Sequence, residues 1–402
     1  MRYAVGGVWC DRPFRIRRLG HFGLNITRME EAVRFYTDWL GFRVTDTIDF
    51  SRRAKDPKEL EGLGDPRGYF MRATTDHHTF VLFNRAVRER LDPLRRFGPE
   101  VTVNQISWQV GSLAEVMAAH RWLSEAGLTM QRVGRDMPGS NWHTYFYDPD
   151  GHTNELFWGM EQIGWDGLSK PVAMHDRAFR ELVPLPQVGE EEEVDWAREA
   201  GVDLYSGHRS RDLRVDPKEA YDVEGVLLPR PFKVLRVGPV SLFVRDLEPA
   251  LRFYQERLGF WVTERVRWQG QEVAYLTCNA DHHLLALYPL ALREPLGLSP
   301  HTTLMAFGVQ VASYAQLRAA WRYLTERGAS TVPIPAELHP GIDYAFYVRD
   351  PDGHLVQFYA HMLPVAPQAQ LSPAPVDPAA WPEVVDPPVP GGFADPGLGP
   401  WG

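Results

Sequence analysis

LGHFGLNITRMEEAVRFYTDWLGFRVTD fills residues 19–46, and VGPVSLFVRDLEPALRFYQERLGFWVTE fills residues 237–264. The two align without a gap at an offset of 218, which sets Phe35-Tyr36 on Phe253-Tyr254 and Leu40-Gly41-Phe42 on Leu258-Gly259-Phe260. Each opens on an apolar run that reads as a strand. Each continues with helical periodicity, placing Ala32, Phe35, Tyr36 and Trp39 on one face in the first copy. A glycine closes the helix, and a β-type run follows. A duplication of this kind frames every later assignment. The copies share a scaffold but differ at a potential ligand, since His21 stands opposite Pro239.

Working outward, each copy divides once more. GYFMRATTDHHTFVLFN, VNQISWQVGSLAEVMAAHRWLSEAGL and NWHTYFYDPDGHTNELFW follow the first string. VAYLTCNADHHLLALYP, LMAFGVQVASYAQLRAAWRYLTERGA and DYAFYVRDPDGHLVQFYA follow the second. Short β runs precede helical stretches closed by Gly41, Gly127, Gly259 and Gly328, and Asp-Pro-Asp-Gly turns stand at Asp148 and Asp350. The pattern predicts an α+β protein made of βαβββ modules, repeated four times. Residues 1–14 read as an N-terminal arm, 15–166 as a first domain, 167–231 as a linker, and 232–362 as a second domain. The linker carries an acidic run at residues 190–193 before WAREAGVDLYS, which reads as a short helix; an ordered connection and a lid over a site are both open. Residues 363–402 are rich in Pro, Ala and Gly without apolar periodicity, and read as an extended or disordered arm. Trp381 and Trp401 are candidates to dock it on a neighbouring subunit, in a homo-oligomer.

Composition sets the bounds. At 402 residues the chain is long enough for two or three domains with real cores. A net charge of −9 argues against a protein that tracks nucleic-acid phosphates. No apolar run approaches the roughly 18 residues of a membrane span, so no membrane partner is expected. The N-terminus has no continuous apolar stretch of the kind a signal peptide needs. Cys10 and Cys278 make neither a disulfide framework nor a thiolate cage, and a reducing cytoplasm is the simplest setting. The 13 tryptophans suit large cores first and an aromatic-lined pocket second.

GHF on the first strand, the D-H-H strand and DPDGH before the last strand together resemble the vicinal oxygen chelate (glyoxalase/bleomycin resistance/dioxygenase) superfamily. Within it, the two-domain type I extradiol ring-cleaving dioxygenases are most similar. The resemblance covers about residues 15–361, apart from most of the linker. It implies modules paired into two half-open-barrel domains, with a metal in the cavity. Extradiol members hold Fe(II), occasionally Mn(II), with two His and one Glu, leaving positions for a catecholate and O2. His21 matches the first His and Glu155, in NELFW, matches the carboxylate; Gln105 stands where the second His is expected. His78 matches a supporting His and Tyr145 a substrate-contacting Tyr. The family's GRH reads Gly134-Arg135-Asp136 here, and His143, on the same strand face as Tyr145, is placed to replace the missing acid-base group or ligand. The second domain shows Pro239, Ala306 and Gln357 at its ligand positions, which implies a structural role.

The resemblance thus implies an extradiol-type dioxygenase acting on a catechol-like aromatic with O2. Two alternatives stay open: a glyoxalase- or isomerase-like enzyme using another divalent metal, and a degenerate protein that binds an aromatic ligand. Blander readings stand beside the site residues. His21 and Gln105 suit satisfied interior groups, Glu155 suits a buried partner of Arg, and Tyr145 suits the core. His77-His78 has a twin at His282-His283, His152 and His354 suit turns, and His120 suits a solvated helix face.

Overall fold

The computed structural model describes residues 2–52, 54–91, 100–137, 139–164, 166–175, 178–183, 185, 191–209, 218–365 and 374–385. Two eight-stranded mixed sheets dominate it, as expected of an α+β chain built by duplication. The first runs Arg43–Asp49, Arg67–Arg72, Phe80–Asn84, Arg18–Ile26, Val103–Gln109, Thr153–Trp158, Trp142–Tyr147, Met130–Gly134. At its centre Arg18–Ile26 lies antiparallel to Val103–Gln109. Each of these has a parallel neighbour, Phe80–Asn84 on one side and Thr153–Trp158 on the other. The second sheet repeats this order around Val234–Val244 and Leu304–Val311.

Period-two alternation gives each sheet two different faces. Phe22, Leu24, Ile106, Trp108, Phe146 and Leu156 lie in the core on the helical side of the first sheet. That core is shared between the copies: Phe22 and Phe80 each stand 5.2 Å from Phe307, and Trp108 stands 4.9 Å from Phe260, ring centre to ring centre. The two helical sides therefore cover each other and remove one large apolar face from water.

The helix Met29–Arg34 widens at its end, where Leu40 N–H donates to Phe35 O at 3.2 Å across five residues. Helical spacing alone did not anticipate this wide turn. It lets Phe35 and Tyr36 both turn inward. Gly41 then leaves the turn at φ +90°, and Gly259 does the same at +85° in the second copy.

Reciprocal contacts lock the copies. Tyr36 OH donates to Asp350 Oδ2 at 2.9 Å, and Tyr254 OH donates to Asp148 Oδ2 at 2.9 Å. Each Asp-Pro-Asp-Gly-His turn thus receives the tyrosine of the other copy. Asp352 accepts from the backbone of Thr27 and Arg28, and Asp150 accepts from Arg245 N, so the same turns also cap the start of the opposite helix. The repeat also reaches further upstream than the aligned strings. Tyr3–Val5 pairs with Val8–Cys10, and Tyr221–Val223 pairs with Val226–Leu228, as matching hairpins ahead of each sheet. Behind the second hairpin, Arg230 donates to Thr37 O at 3.3 Å and packs over Gly41; Arg12 packs over Gly259 in return.

The described part of the C-terminal arm docks on its own chain. Trp381 is buried against Tyr314, Tyr344 and Phe346, at 6.3, 5.2 and 6.4 Å. Glu383 meets Arg318 at 2.7 Å. An indole provides enough apolar area to hold a segment that has no periodicity of its own. Trp401 lies outside the described residues. Trp381→Ala is expected to cost about 3 kcal/mol in denaturant unfolding, the low end for a buried tryptophan because the segment can peel away. The acidic run enters the helix Glu191–Glu199, where Glu193 pairs with the buried Arg135. Among the described residues no helix is long and apolar enough to cross a membrane.

Candidate functional site

The two concave faces have different fates. In the second copy the concave face is packed with Tyr275, Tyr288, Tyr347, Tyr359, Met305 and Leu338. Ala306 belongs to that cluster, and Gln357 donates to Tyr347 OH at 2.7 Å. In the first copy the concave face stays open as a cleft. Phe50, Phe70, Phe83 and Tyr145 give it aromatic walls. His78, Gln105, Asn141 and His143 line it as well.

Glu155 is the focus. It projects from Thr153–Trp158, beside the strands that carry Gln105 and Tyr145. Its side chain is fully buried. Oε2 lies 2.8 Å from His21 Nε2 and 3.2 Å from Gln105 Nε2, and accepts from the Ser107 hydroxyl. Oε1 accepts from Asn141 and lies 3.8 Å from His143 Nδ1. Gly23 makes the convergence possible: a Cβ there would meet Val81 Cγ2 at 2.4 Å and Gln105 Cγ at 3.2 Å.

Charge states follow from burial and neighbours. Burial raises the Glu155 carboxyl, but His21, His143 and Ser107 outweigh it and hold the group at about 2. Burial lowers His143 to about 4. Burial, with His21, His77 and His143 nearby, takes His78 well below its ordinary value. Burial and Glu155 push the Tyr145 phenol up. At neutral pH the Glu155 carboxyl is therefore ionised, His78 and His143 are neutral, and the Tyr145 phenol keeps its proton.

The donor set fits a divalent cation. His21 is wholly buried; its Nδ1 has no hydrogen-bond partner and its Nε2 faces the Glu155 carboxylate at 2.8 Å. Ligands held at about 2.1 Å in adjacent positions lie about 3 Å apart, the spacing His21 Nε2 and Glu155 Oε2 have. Gln105 offers an amide oxygen once its side chain is turned over, an orientation that hydrogen bonding alone assigns. Among the described residues no group of three His, Cys, Asp or Glu side chains is arranged for a metal.

The structure thus brings His21, Gln105 and Glu155 together and sets His78, His143 and Tyr145 around them. His21 stands 4.4 Å from His78, and His143 stands 4.6 Å from Tyr145, ring to ring. Asp136 is tied to Arg132 at 2.9 Å and Arg180 at 2.6 Å. Its partners hold it as an ion-pair acceptor, unlike the histidine of GRH. His152 and His354 belong to the turns between the copies, far from Glu155 in role. His120 is half-buried and bonds Thr144 Oγ1 at 2.9 Å, so the solvated reading is corrected: the helix packs that edge on Trp142–Tyr147. Sequence reasoning missed Ser107 and Asn141. Ser107 was legible, lying two residues from Gln105 on one strand face; Asn141 precedes its strand and carries no periodic signal.

With fold and site in view, the class is a paired half-barrel protein with a candidate metal centre in one half. The sequence pattern of the Glyoxalase/Bleomycin resistance protein/Dioxygenase superfamily matches residues 18–156 and 236–358, and the chain belongs to that superfamily. A 2,2',3-trihydroxybiphenyl dioxygenase of Sphingomonas paucimobilis is 27% identical over 124 residues, which span 31% of this chain and 40% of that protein. The fold is similar to that of a 2,3-dioxygenase, LapB, of Pseudomonas sp. KL28, with TM-score 0.55 and 16% identity over 89% of this chain and 97% of that one. It is also similar to a Mn(II)-bound glyoxalase of Novosphingobium aromaticivorans, with TM-score 0.52 and 15% identity over 90% of this chain and 89% of that one.

Proposed function

We propose that the protein is a metal-dependent extradiol-type dioxygenase that opens a catechol-like aromatic ring with O2. The observation that carries this reading is the convergence of buried His21 and Glu155 on Gln105, which lines an aromatic-walled cleft. These three side chains would hold the metal, Fe(II) first and Mn(II) next. The metal, when bound, supplies a Lewis-acid and redox centre at which a catecholate and O2 meet. Phe50, Phe70 and Phe83 pack the flat ring and exclude water. Neutral His78 accepts the proton of a substrate hydroxyl, and Tyr145 donates a hydrogen bond to substrate oxygen. His78 then returns that proton to the opened product, and neutral His143, beside Tyr145, would donate a hydrogen bond there. The relatives with dioxygenase names support this class of reaction.

The test is anaerobic loading with Fe(II), then exposure of a panel of catechols to air. Appearance of a yellow ring-opened product is the expected result; iron bound at one equivalent with no product across the panel overturns the reading. Gln105 favours a second one. An amide is neutral and a weaker donor than imidazole, and a glyoxalase-like enzyme working with a redox-inert metal tolerates it. Elemental analysis of active protein decides: activity with such a metal and no iron or manganese selects the second reading.

A further inference from the structure

Behind His78 lies a chain of buried polar groups that the proposed reaction does not use. Asp46 reaches the concave side because Arg43–Asp49 has a β-bulge between Val44 and Asp46, which re-aims the side chain. Asp46 Oδ2 accepts from Ser169 Oγ at 2.8 Å, and lies 3.2 Å from His175 Nε2 and 3.7 Å from His77 Nε2. His77 Nε2 is also 3.5 Å from Ser169 Oγ. On its other edge, His77 Nδ1 meets His78 Nδ1 at 3.0 Å. All five side chains are buried.

Ser169 and His175 come from the segment that joins the two copies. Ser169 is pinned there: its N–H donates to His208 O at 2.9 Å, and Gly207 packs on its carbonyl too closely for a Cβ. His175 follows the short turn Val172–Met174.

Hydrogen-bond logic then fixes tautomers. The Asp46 carboxylate can only accept, and Ser169 spends its proton on it. His77 Nε2 therefore faces two acceptors and carries the proton. With the His77 proton held at Nε2, its Nδ1 is the acceptor of the contact at 3.0 Å and His78 Nδ1–H the donor. That leaves His78 Nε2 bare at the cleft.

We propose that Ser169 and His175 are positioning residues for the candidate site: acting through Asp46 and His77, they hold His78 as the Nδ1–H tautomer and so present its Nε2 to substrate as a proton acceptor. The connecting segment is thereby part of the site and more than a tether. The assignment of His78 as acceptor rests on the proposed function; the tautomer does not.

The second copy provides a built-in comparison. Glu264, placed by a bulge at the matching position, lies 3.1 Å from His282 Nε2, and His282 Nδ1 meets His283 Nδ1 at 3.1 Å. There the chain ends against Tyr275, ring to ring at 5.1 Å, inside a packed core. The relay is thus a feature of the duplicated scaffold that gains an outlet only in the first copy.

The test reads tautomers directly. Long-range proton–nitrogen correlation spectra of metal-free protein, labelled with 15N-histidine, give the protonated nitrogen of each ring. The expected wild-type result is His78 with Nδ1 protonated. Asp46→Asn and Ser169→Ala should each turn that single state into a tautomer mixture, with the amide fingerprint of the fold kept. His78 with Nε2 protonated in wild type overturns the proposal, as does a spectrum unchanged in both variants. Because the protein is metal-free, failure of the dioxygenase reading leaves this outcome unaffected. In active enzyme, Asp46→Asn and His175→Phe should lower kcat roughly 10- to 100-fold with KM little moved, the usual scale for an outer partner. Glu264→Gln should leave kcat unchanged; equal losses from Glu264→Gln and Asp46→Asn would reduce the relay to scaffold and overturn the proposal.

Discussion

Glu155→Ala is expected to lose metal binding and turnover together, each by more than roughly 100-fold, the upper end of what removal of an outer partner costs. The carboxylate is the one anion at the point where His21, Gln105, Ser107 and Asn141 converge. Its depressed pKa means that it enters any complex already ionised, so no proton must leave before a cation binds. Stability should respond in a different way. The variant leaves Ser107, Gln105 and Asn141 without their acceptor, at about 1–3 kcal/mol for each donor that finds no replacement. The cleft admits water to replace it, and removing a buried charge gives some of that cost back. The net change in unfolding free energy should therefore be small beside the loss of metal. Manganese titration followed by electron paramagnetic resonance, with urea unfolding of the same metal-free samples, separates the two. A Glu155→Ala protein that still binds one ion at wild-type affinity would place the metal elsewhere. Glu155→Gln sharpens the result, since it keeps a hydrogen-bonding oxygen and removes only the charge.

Most of the fold was legible because duplication is a statement about sequence. Strand parity, the closing glycines and the Asp-Pro-Asp-Gly turns are local, and local signals survive without knowledge of the partner. The convergence on Glu155 was legible for the same reason: strands in matching register present alternate residues to one face, so His21, Gln105 and Glu155 could be placed by parity. Three features were not legible. The bulge at Thr45 flips the parity of its strand, so Asp46 turns to the site although regular alternation from Val44 would send it to the core. Ser169 and His175 lie in a segment with no period, where only tertiary packing decides what a side chain meets. The docking of Trp381 depends on a receptor surface far away in sequence, from Tyr314 to Phe346. The upstream hairpins were missed for another reason. Tyr-x-Val-x-Gly-Val at residues 3–8 recurs at 221–226 and Arg-Pro-Phe at 12–14 recurs at 230–232, a match at the same offset but broken by unmatched residues and so not read as a continuation.

The turns that read as mere punctuation carry the second large effect. Asp148→Ala or Asp350→Ala should each cost about 3–5 kcal/mol, as removing one partner of a buried ion pair does. Asp148 accepts from Tyr254 OH at 2.9 Å, His152 Nδ1 at 2.9 Å and the backbone of Asp150 and His152 at 3.0 and 2.8 Å. Asp350 accepts from Tyr36 OH at 2.9 Å, from His354 Nδ1 at 3.1 Å and from His354 N at 2.8 Å. The imidazoles then reach across: His152 Nε2 meets Thr303 Oγ1 and His354 Nε2 meets Thr102 Oγ1, both at 2.9 Å. Losing either carboxylate leaves a buried tyrosine and a buried histidine without their common acceptor, at the seam of a core that both copies share. Burial lowers the pKa of His152 and of His354, but Asp148 and Asp350 more than reverse this, so both stand raised. Burial raises Asp350, and His354 more than reverses that, so it stands lowered. The stabilisation from each imidazolium is complete below the ordinary histidine value of about 6.5 and is lost as pH climbs through the raised folded value. That from the Asp350 carboxylate is present above about 3.9 and is lost as pH falls through the lowered value. Wild-type unfolding free energy should therefore peak between those limits and fall on both sides. In Asp350→Asn the acid limb from this group disappears and the alkaline limb loses the part due to His354, while the part due to His152 remains. Urea unfolding across that pH range measures both limbs, and an Asp350→Asn curve parallel to wild type would show that the seam is held by its apolar core alone.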